Sequence, residues 1–189
     1  MFLTHRPTKS EIDKFIDQSS TLPLSYHPVG LAKESPPGFN ADLAGGIVGR
    51  GASALARARR ALKEWRHFEL GWVELFPHGA PTEPGTVVAV LVRHLGFWSL
   101  NGCRVVYKFG DDDVSRFGFA YGTLTNHAEM GEESFEVSMT DSEEVTYRIR
   151  AVSKPRAVLA RIGYPYARIS QSRFRRDSIA AMKRALMTD

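Results

Sequence analysis

The chain has 189 residues, 43% of them hydrophobic and 24% charged, and its 25 Lys and Arg against 21 Asp and Glu leave a formal net charge of +4. This composition excludes a mainly disordered chain, and the length fits a single domain over 1–189, since two halves would each be small for independent stability. No run approaches the roughly 20 apolar residues of a membrane span, and MFLTHRPTKSEIDKF lacks the apolar core of a signal peptide. The lone cysteine, Cys103, has no disulfide partner and no histidine at a zinc-like spacing, so a reducing, cytoplasmic setting is expected.

The first element is a helical extension at about 9–20, read from Ile12, Phe15 and Ile16 at helical spacing behind Ser10 as N-cap. An extended piece, LSYHPVGLAKE, follows, and the Pro, Gly and Asn content of PPGFNADLAGGIVGRG reads as a loop. A second helix starts near Ala52, with Leu55, Ala58, Leu62 and Trp65 on one side and Arg57, Arg59, Arg60 and Lys63 on the other.

From Gly71 to Val152 the apolar period becomes two, in the runs GWVELF, TVVAVLVRHL, GCRVVYKF, SRFGFAYGTL, ESFEVSMT and VTYRIRAV. The separators, among them GDDD and TNHAEMG, are too short for the helical crossovers that parallel strands need, so the sheet is antiparallel. Alternation gives each strand a bulky face: Phe117, Phe119 and Tyr121; Cys103, Val105 and Tyr107; Phe135, Val137 and Met139; Val145, Tyr147 and Ile149. Such a face requires cover. After Pro155, Val158, Leu159 and Ile162 form a short stripe that Gly163 and Pro165 interrupt, and Tyr166, Ile169, Ile179, Met182 and Leu186 continue it.

The expected architecture is therefore α+β: a curved antiparallel sheet of about seven strands within 24–153, two shorter helices after its first strand, and a long C-terminal helix within 155–187 across the concave face. This is the helix-grip arrangement, and one helix does not fill such a concavity, so a cavity is expected.

The helix ending in tryptophan (ALKEWRHFELGW), the strand VTYRIRAVSKP and the long basic helix resemble the START and Bet v 1-like superfamily of hydrophobic-ligand binders. LSYHPVG, GGIVGRGASALARARRALKEW, NGCRVVYKF, GFAYGTLTNHAEMGEESFEV and RAVSKPRAVLARIGYPYARISQSRFRRDSIAAMKRAL look, more closely, like the domain of unknown function nineteen-ninety family, over nearly the whole chain. The superfamily spans lipid carriers, hormone receptors, cyclases and hydrolases, so the resemblance implies a fold and a cavity rather than one chemistry.

The expected function is binding of a small, largely apolar ligand, lipid- or isoprenoid-like, with Tyr107, Phe119, Tyr121, Tyr147 and Tyr166 as walls and hydrogen-bonding groups. The turn TNHAEMGEE gathers His127, Glu129, Glu132 and Glu133, and is either a solvated hairpin end or the cavity rim. If the protein is an enzyme of cyclase, dehydratase or hydrolase type, His127 acts as general base with Glu132, Glu133 or Tyr121.

No metal or cofactor is expected: His5, His27, His67, His78 and His94 are scattered, and GGIVGRG matches no phosphate-binding pattern. Cys103 lacks a neighbouring base in sequence and is read as packing. Charge is polarised, with ten acidic residues and one basic from Gly110 to Glu144, then eleven basic and two acidic from Val145 onward. A basic helix admits peripheral membrane contact and, less readily, nucleic acid, but its apolar stripe is already committed to the sheet.

Overall fold

The computed structural model describes residues 1–34, 36–110, 115–156 and 164–187. The predicted stripe of Val158, Leu159 and Ile162, its break at Gly163, and Asp111, Asp112 and Asp113 of the GDDD turn lie outside the described residues.

In chain order the elements are β1 (Phe2–Leu3), α1 (Lys9–Ser20), α2 (Leu31–Glu34), β2 (Asn40–Arg50), α3 (Gly51–Lys63), a 3-10 turn (Arg66–Phe68), β3 (Val73–Phe76), β4 (Val87–Arg93), β5 (Trp98–Phe109), β6 (Arg116–Thr123), β7 (Glu129–Met139), β8 (Glu144–Pro155) and α4 (Tyr164–Met187). The sheet runs β2-β8-β7-β6-β5-β4-β3, every pairing antiparallel, with β1 added against the start of β5. The fold is thus the expected helix grip.

Three local readings need correction. The N-cap of α1 is Thr8, not Ser10: its hydroxyl accepts from the Glu11 amide at 3.3 Å, and the Glu11 carboxylate accepts from the Thr8 amide at 2.8 Å. This reciprocal box satisfies two otherwise orphaned donors and fixes the helix start two residues earlier. The stretch read as a loop, NADLAGGIVGR, is the edge strand β2, paired with β8 along its length. Its glycines hid the strand pattern because they serve close approach: a Cβ on Gly49 would stand 2.7 Å from Cβ of Ala54 in α3, and one on Gly46 3.2 Å from Ile179 in α4. The expected packing of Ile169 also fails, as it is 67% exposed on the outer side of α4.

Core packing divides the concave face in two. Under α3 and the second half of α4, Phe117, Phe119, Phe135 and Tyr147 are fully buried with Leu55, Ala58, Leu62 and Met182. Trp65 closes that end: its ring meets Phe119 edge-on at 4.7 Å and its Nε1 donates to the Ala80 carbonyl at 2.8 Å. The convex face is covered too, by Ile12 and Phe15 of α1 against Ala89, Leu91 and Leu100. Next to it, Tyr26 and Leu31 pack on Val152. Gly122 makes that second contact feasible, since any Cβ there would strike the Tyr26 ring.

Candidate functional site

Where the solid core stops, beneath the first half of α4, the concave face encloses a cavity of about 690 Å³. The 3-10 turn and β3 supply Phe68 and Val73, with Trp72 just before the strand; β4 supplies Val90 and Val92, and α4 supplies Ala167, Ser170, Gln171, Phe174 and Arg175. Phe2, Leu3, His94, Phe97 and Tyr166 surround one side, where the Tyr166 hydroxyl lies 3.3 Å from His94 Nδ1 and so links the start of α4 to the end of β4. His94 Nε2 contacts the Ser99 hydroxyl at 2.8 Å, and burial lowers the His94 pKa.

The inner end is polar because β6, β7 and β8 bring Tyr121, Glu133 and Ala151 side by side, paired across the strands and facing inward. Tyr121 donates its hydroxyl to Oε2 of Glu133 at 2.7 Å. Burial raises the Glu133 pKa to about 7; the Tyr121 hydrogen bond and the charge of Arg175 oppose that rise, and Glu129 and Asp42 add to it. Glu129, also raised by burial, accepts from Gln171 Nε2 at 2.7 Å.

His127, in the turn between β6 and β7, lines the same cavity. Burial lowers its pKa to about 4, so it is neutral at pH 7. Its Nδ1 accepts the Glu129 backbone N–H at 2.9 Å, which places the imidazole proton on Nε2. A neutral imidazole locked in that tautomer is a hydrogen-bond donor rather than a general base.

Four arginines of α4 meet two carboxylates, two of them within the fold and two at the surface. Asp42 on β2 takes a bidentate pair from Arg168 and lies 3.4 Å from Arg175, and the Arg168 hydrogen bonds hold its carboxyl below the usual range. Arg173 and Arg176 pair with Asp177, which also accepts from Trp72 Nε1 at 3.0 Å. Arg168 and Arg175 are thus held within the fold by one shared carboxylate, whereas Arg173 and Arg176 stay 52% and 75% exposed.

Of the residues singled out from sequence, Tyr121, His127, Glu129, Glu133 and Tyr166 line the cavity. Phe119 and Tyr147 are instead fully buried in the solid core, with the Tyr147 hydroxyl 2.9 Å from that of Ser178. Tyr107 is on the opposite face. A bulge at Val106 lets Val105 pair with Tyr121 but Tyr107 with Ala120, so strict alternation breaks between them.

Glu132 follows Tyr107 to the convex side: although its strand borders the cavity, its carboxylate accepts from Tyr26 and Tyr107 hydroxyls at 2.7 and 2.8 Å and from the Gly30 and Ala32 amides at 2.9 and 3.1 Å. These four bonds make it a clamp for the segment around α2. Sequence reasoning missed Trp72, His94, Phe174, Gln171 and Arg175. The signal available for the last three was a helical stripe continuous with Ser178 and Met182, but of mixed polarity. Among the described residues, no group of three or more His, Cys, Asp or Glu is gathered to hold a metal ion, and no helix is long and apolar enough to cross a membrane.

A curved antiparallel sheet gripped by a C-terminal helix around a cavity defines a helix-grip protein of Bet v 1-like architecture. Within it, the chain belongs to the family described as Domain of unknown function (DUF1990), which matches residues 25–181. It is 30% identical to a UPF0548 protein of Dictyostelium discoideum, over 98% of this chain and 96% of that one, and 32% identical to one of Arabidopsis thaliana, over 94% and 93%. Among solved structures it resembles TTHA0849 of Thermus thermophilus, with a TM-score of 0.54 at 10% identity over 78% of this chain and 97% of that one. It also resembles the di-domain ARO/CYC BexL of the BE-7585A biosynthetic pathway, with a TM-score of 0.52 at 15% identity over 95% of this chain and 61% of that one. At such identities the likeness establishes the fold alone.

Proposed function

We propose that the protein binds a small, largely apolar molecule, lipid- or isoprenoid-like in character, between the sheet and α4. The observation that carries this reading is the cavity itself: about 690 Å³, with apolar walls from Phe68, Trp72, Val90, Val92 and Phe174 and a smaller number of polar groups among them. That size and lining are typical of ligand sites, whereas packing voids in a close-packed core rarely exceed a water molecule. Native mass spectrometry of the purified protein, compared with the denatured chain, should reveal a co-purifying small molecule. Ala151→Trp, which fills the space beside Glu133, should abolish its retention; retention at the wild-type level would remove the cavity from consideration.

A second reading, an acid/base enzyme on the same scaffold, is favoured by Glu133 specifically. A cavity carboxyl that titrates at about 7 and accepts from a tyrosine is suited to proton transfer at neutral pH. In this reading Glu133 exchanges the proton, His127 orients a substrate oxygen, and Glu132 takes no part. Glu133→Gln would abolish turnover, and the pH profile would show a limb near neutrality. A basic adaptor for membrane or nucleic acid is less well supported, since Arg168 and Arg175 of α4 are paired with Asp42 within the fold.

A further inference from the structure

We infer that the cavity mouth docks on a lipid bilayer carrying anionic head groups, and that the apolar ligand passes between bilayer and cavity there. The passage of ligand rests on the cavity-binding reading above; the docking surface has its own geometry and is distinct from the basic face of α4. Three elements meet at the mouth: β1, the turn between β4 and β5, and the start of α4. Their rings form a continuous arc. The ring centroids of Phe2 and Phe97 lie 5.9 Å apart, Phe97 stacks on His94 at 4.4 Å, and His94 lies 5.7 Å from Tyr166. All four line the cavity, yet Phe2 is 61% exposed and Tyr166 38%, so these side chains touch cavity and solvent together. Leu95, in the turn between His94 and Phe97, is 86% exposed and is not part of the cavity wall.

Single exposed apolar side chains are ordinary on a protein surface, but a joined set around the opening of an apolar cavity marks a contact site. Charge and chemistry select the bilayer as its occupant. Arg93 immediately precedes the turn, exposed, with its guanidinium 5.8 Å from the Trp98 ring. At the β6–β7 turn, whose His127 and Ala128 also line the cavity, the exposed Arg156 donates its side chain to the Thr125 carbonyl and its amide to the Ala128 carbonyl. Two carboxylates of this region are engaged already: Glu74 accepts from Arg6 at 2.9 Å and Glu129 from Gln171 at 2.7 Å. An apolar, aromatic rim flanked by arginines matches the boundary between acyl chains and anionic head groups, where aromatic rings settle and basic side chains meet phosphate. A bilayer is cover and reservoir at once, because an apolar ligand dissolves in it and reaches the cavity without crossing water.

The test is co-sedimentation of the full chain with phosphatidylcholine vesicles, with and without about 30% phosphatidylserine, beside native mass spectrometry for retained ligand. The protein should partition onto both kinds of vesicle, more strongly onto the anionic ones. Leu95→Glu should weaken partitioning roughly tenfold or more, the worth of one buried leucine. Ligand retention and Tm should stay at wild-type values in that variant, since Leu95 faces solvent rather than the cavity. Arg93→Gln should cost about fivefold on anionic vesicles and nothing on neutral ones. Ala151→Trp should still dock while losing its ligand. A wild type that does not partition, or partitioning that Leu95→Glu leaves unchanged, would overturn the docking surface and leave the cavity reading to its own test. A solution dimer that Leu95→Glu dissociates, in place of vesicle binding, would overturn it too and assign the rim to a second copy of the chain.

Discussion

Glu132→Gln replaces one oxygen by an amide nitrogen and separates a structural carboxylate from a catalytic one. Glu132 is 2% exposed, and each of its oxygens accepts from one tyrosine hydroxyl and one fixed backbone amide: Oε2 from Tyr26 and Gly30, Oε1 from Tyr107 and Ala32. A glutamine amide can keep only one oxygen, so in either orientation its NH2 faces a backbone N–H that cannot turn away. The tyrosine on that side can rotate and accept instead. One buried N–H loses its partner, at about 1–3 kcal/mol, and the three surviving bonds weaken with loss of the charge. Relief of the carboxylate's own burial offsets part of this, leaving a net loss of about 3 kcal/mol and a fall of roughly 6–12 °C in Tm for a chain of this size. Urea denaturation should show a lower midpoint at unchanged slope, and hydrogen exchange should accelerate at Gly30 and Ala32 while ligand retention persists. A loss below about 1 kcal/mol, or a variant that is fully stable but loses ligand or turnover, would refute the clamp.

Other outcomes follow from the same structure. His67 is fully buried among Trp65, Phe68 and Phe135, with neither ring nitrogen hydrogen-bonded among the described residues, and burial lowers its pKa to about 3. The unfolded chain, titrating near 6.5, binds the proton first, so stability is lost as pH falls from about 6.5 toward 3, by roughly 2 kcal/mol at pH 5. His67→Phe should therefore stabilise the protein at pH 7.5 and flatten its acid sensitivity; equal denaturation midpoints at pH 5 for variant and wild type would contradict this. Glu133 has the opposite sign. Its folded pKa of about 7 exceeds the unfolded value, so its contribution is present below about pH 4.5 and lost as pH rises to 7. Glu133→Gln should thus raise stability at pH 8 by up to about 3 kcal/mol, and a destabilised variant would show that the carboxylate is paired. Gly49→Val should destabilise by roughly 2–3 kcal/mol through its clash with Ala54; a neutral result in calorimetry would mean that α3 can move away.

The sheet was legible because period-two alternation is a property of neighbouring residues, and from β3 to β8 it is written in Val, Phe and Tyr. It failed at two places, both where a distant element decides. In β2 the glycines answer to α3 and α4, whose approach cannot be seen from the strand itself. In β5 a single extra residue, Val106, transfers Tyr107 to the convex face, and neither composition nor propensity marks a bulge. The candidate site was half legible. His127 and Glu133 stood out as polar residues beside apolar strands, yet the adjacent Glu132 carried the same signal and points the other way. The α4 side of the cavity was hidden for a different reason: Ser170, Gln171 and Arg175 form an inward stripe that looks solvent-facing unless the space beneath it is known.

Glu132 and Glu133 show how that space is maintained. Adjacent in β7, they face opposite sides of the sheet, one held by four hydrogen bonds and the other lining the cavity with one oxygen accepting from Tyr121. A buried carboxyl with a single partner and an unfilled cavity both reduce stability, and neither persists in a small domain unless other contacts outweigh them. Here the offset is local: the Glu132 clamp on the convex side and the Trp65–Phe119 cluster at the far end of the concave face hold the strands that carry Tyr121 and Glu133. A ligand that filled the cavity and satisfied Oε1 of Glu133 would remove both deficits at once. Added ligand should therefore raise Tm most at pH values where the empty protein is weakest with respect to Glu133, above about 7 for a ligand that donates a hydrogen bond to its carboxylate. The same shift measured in Glu133→Leu, which has no oxygen to satisfy, should shrink to the part due to apolar contact alone.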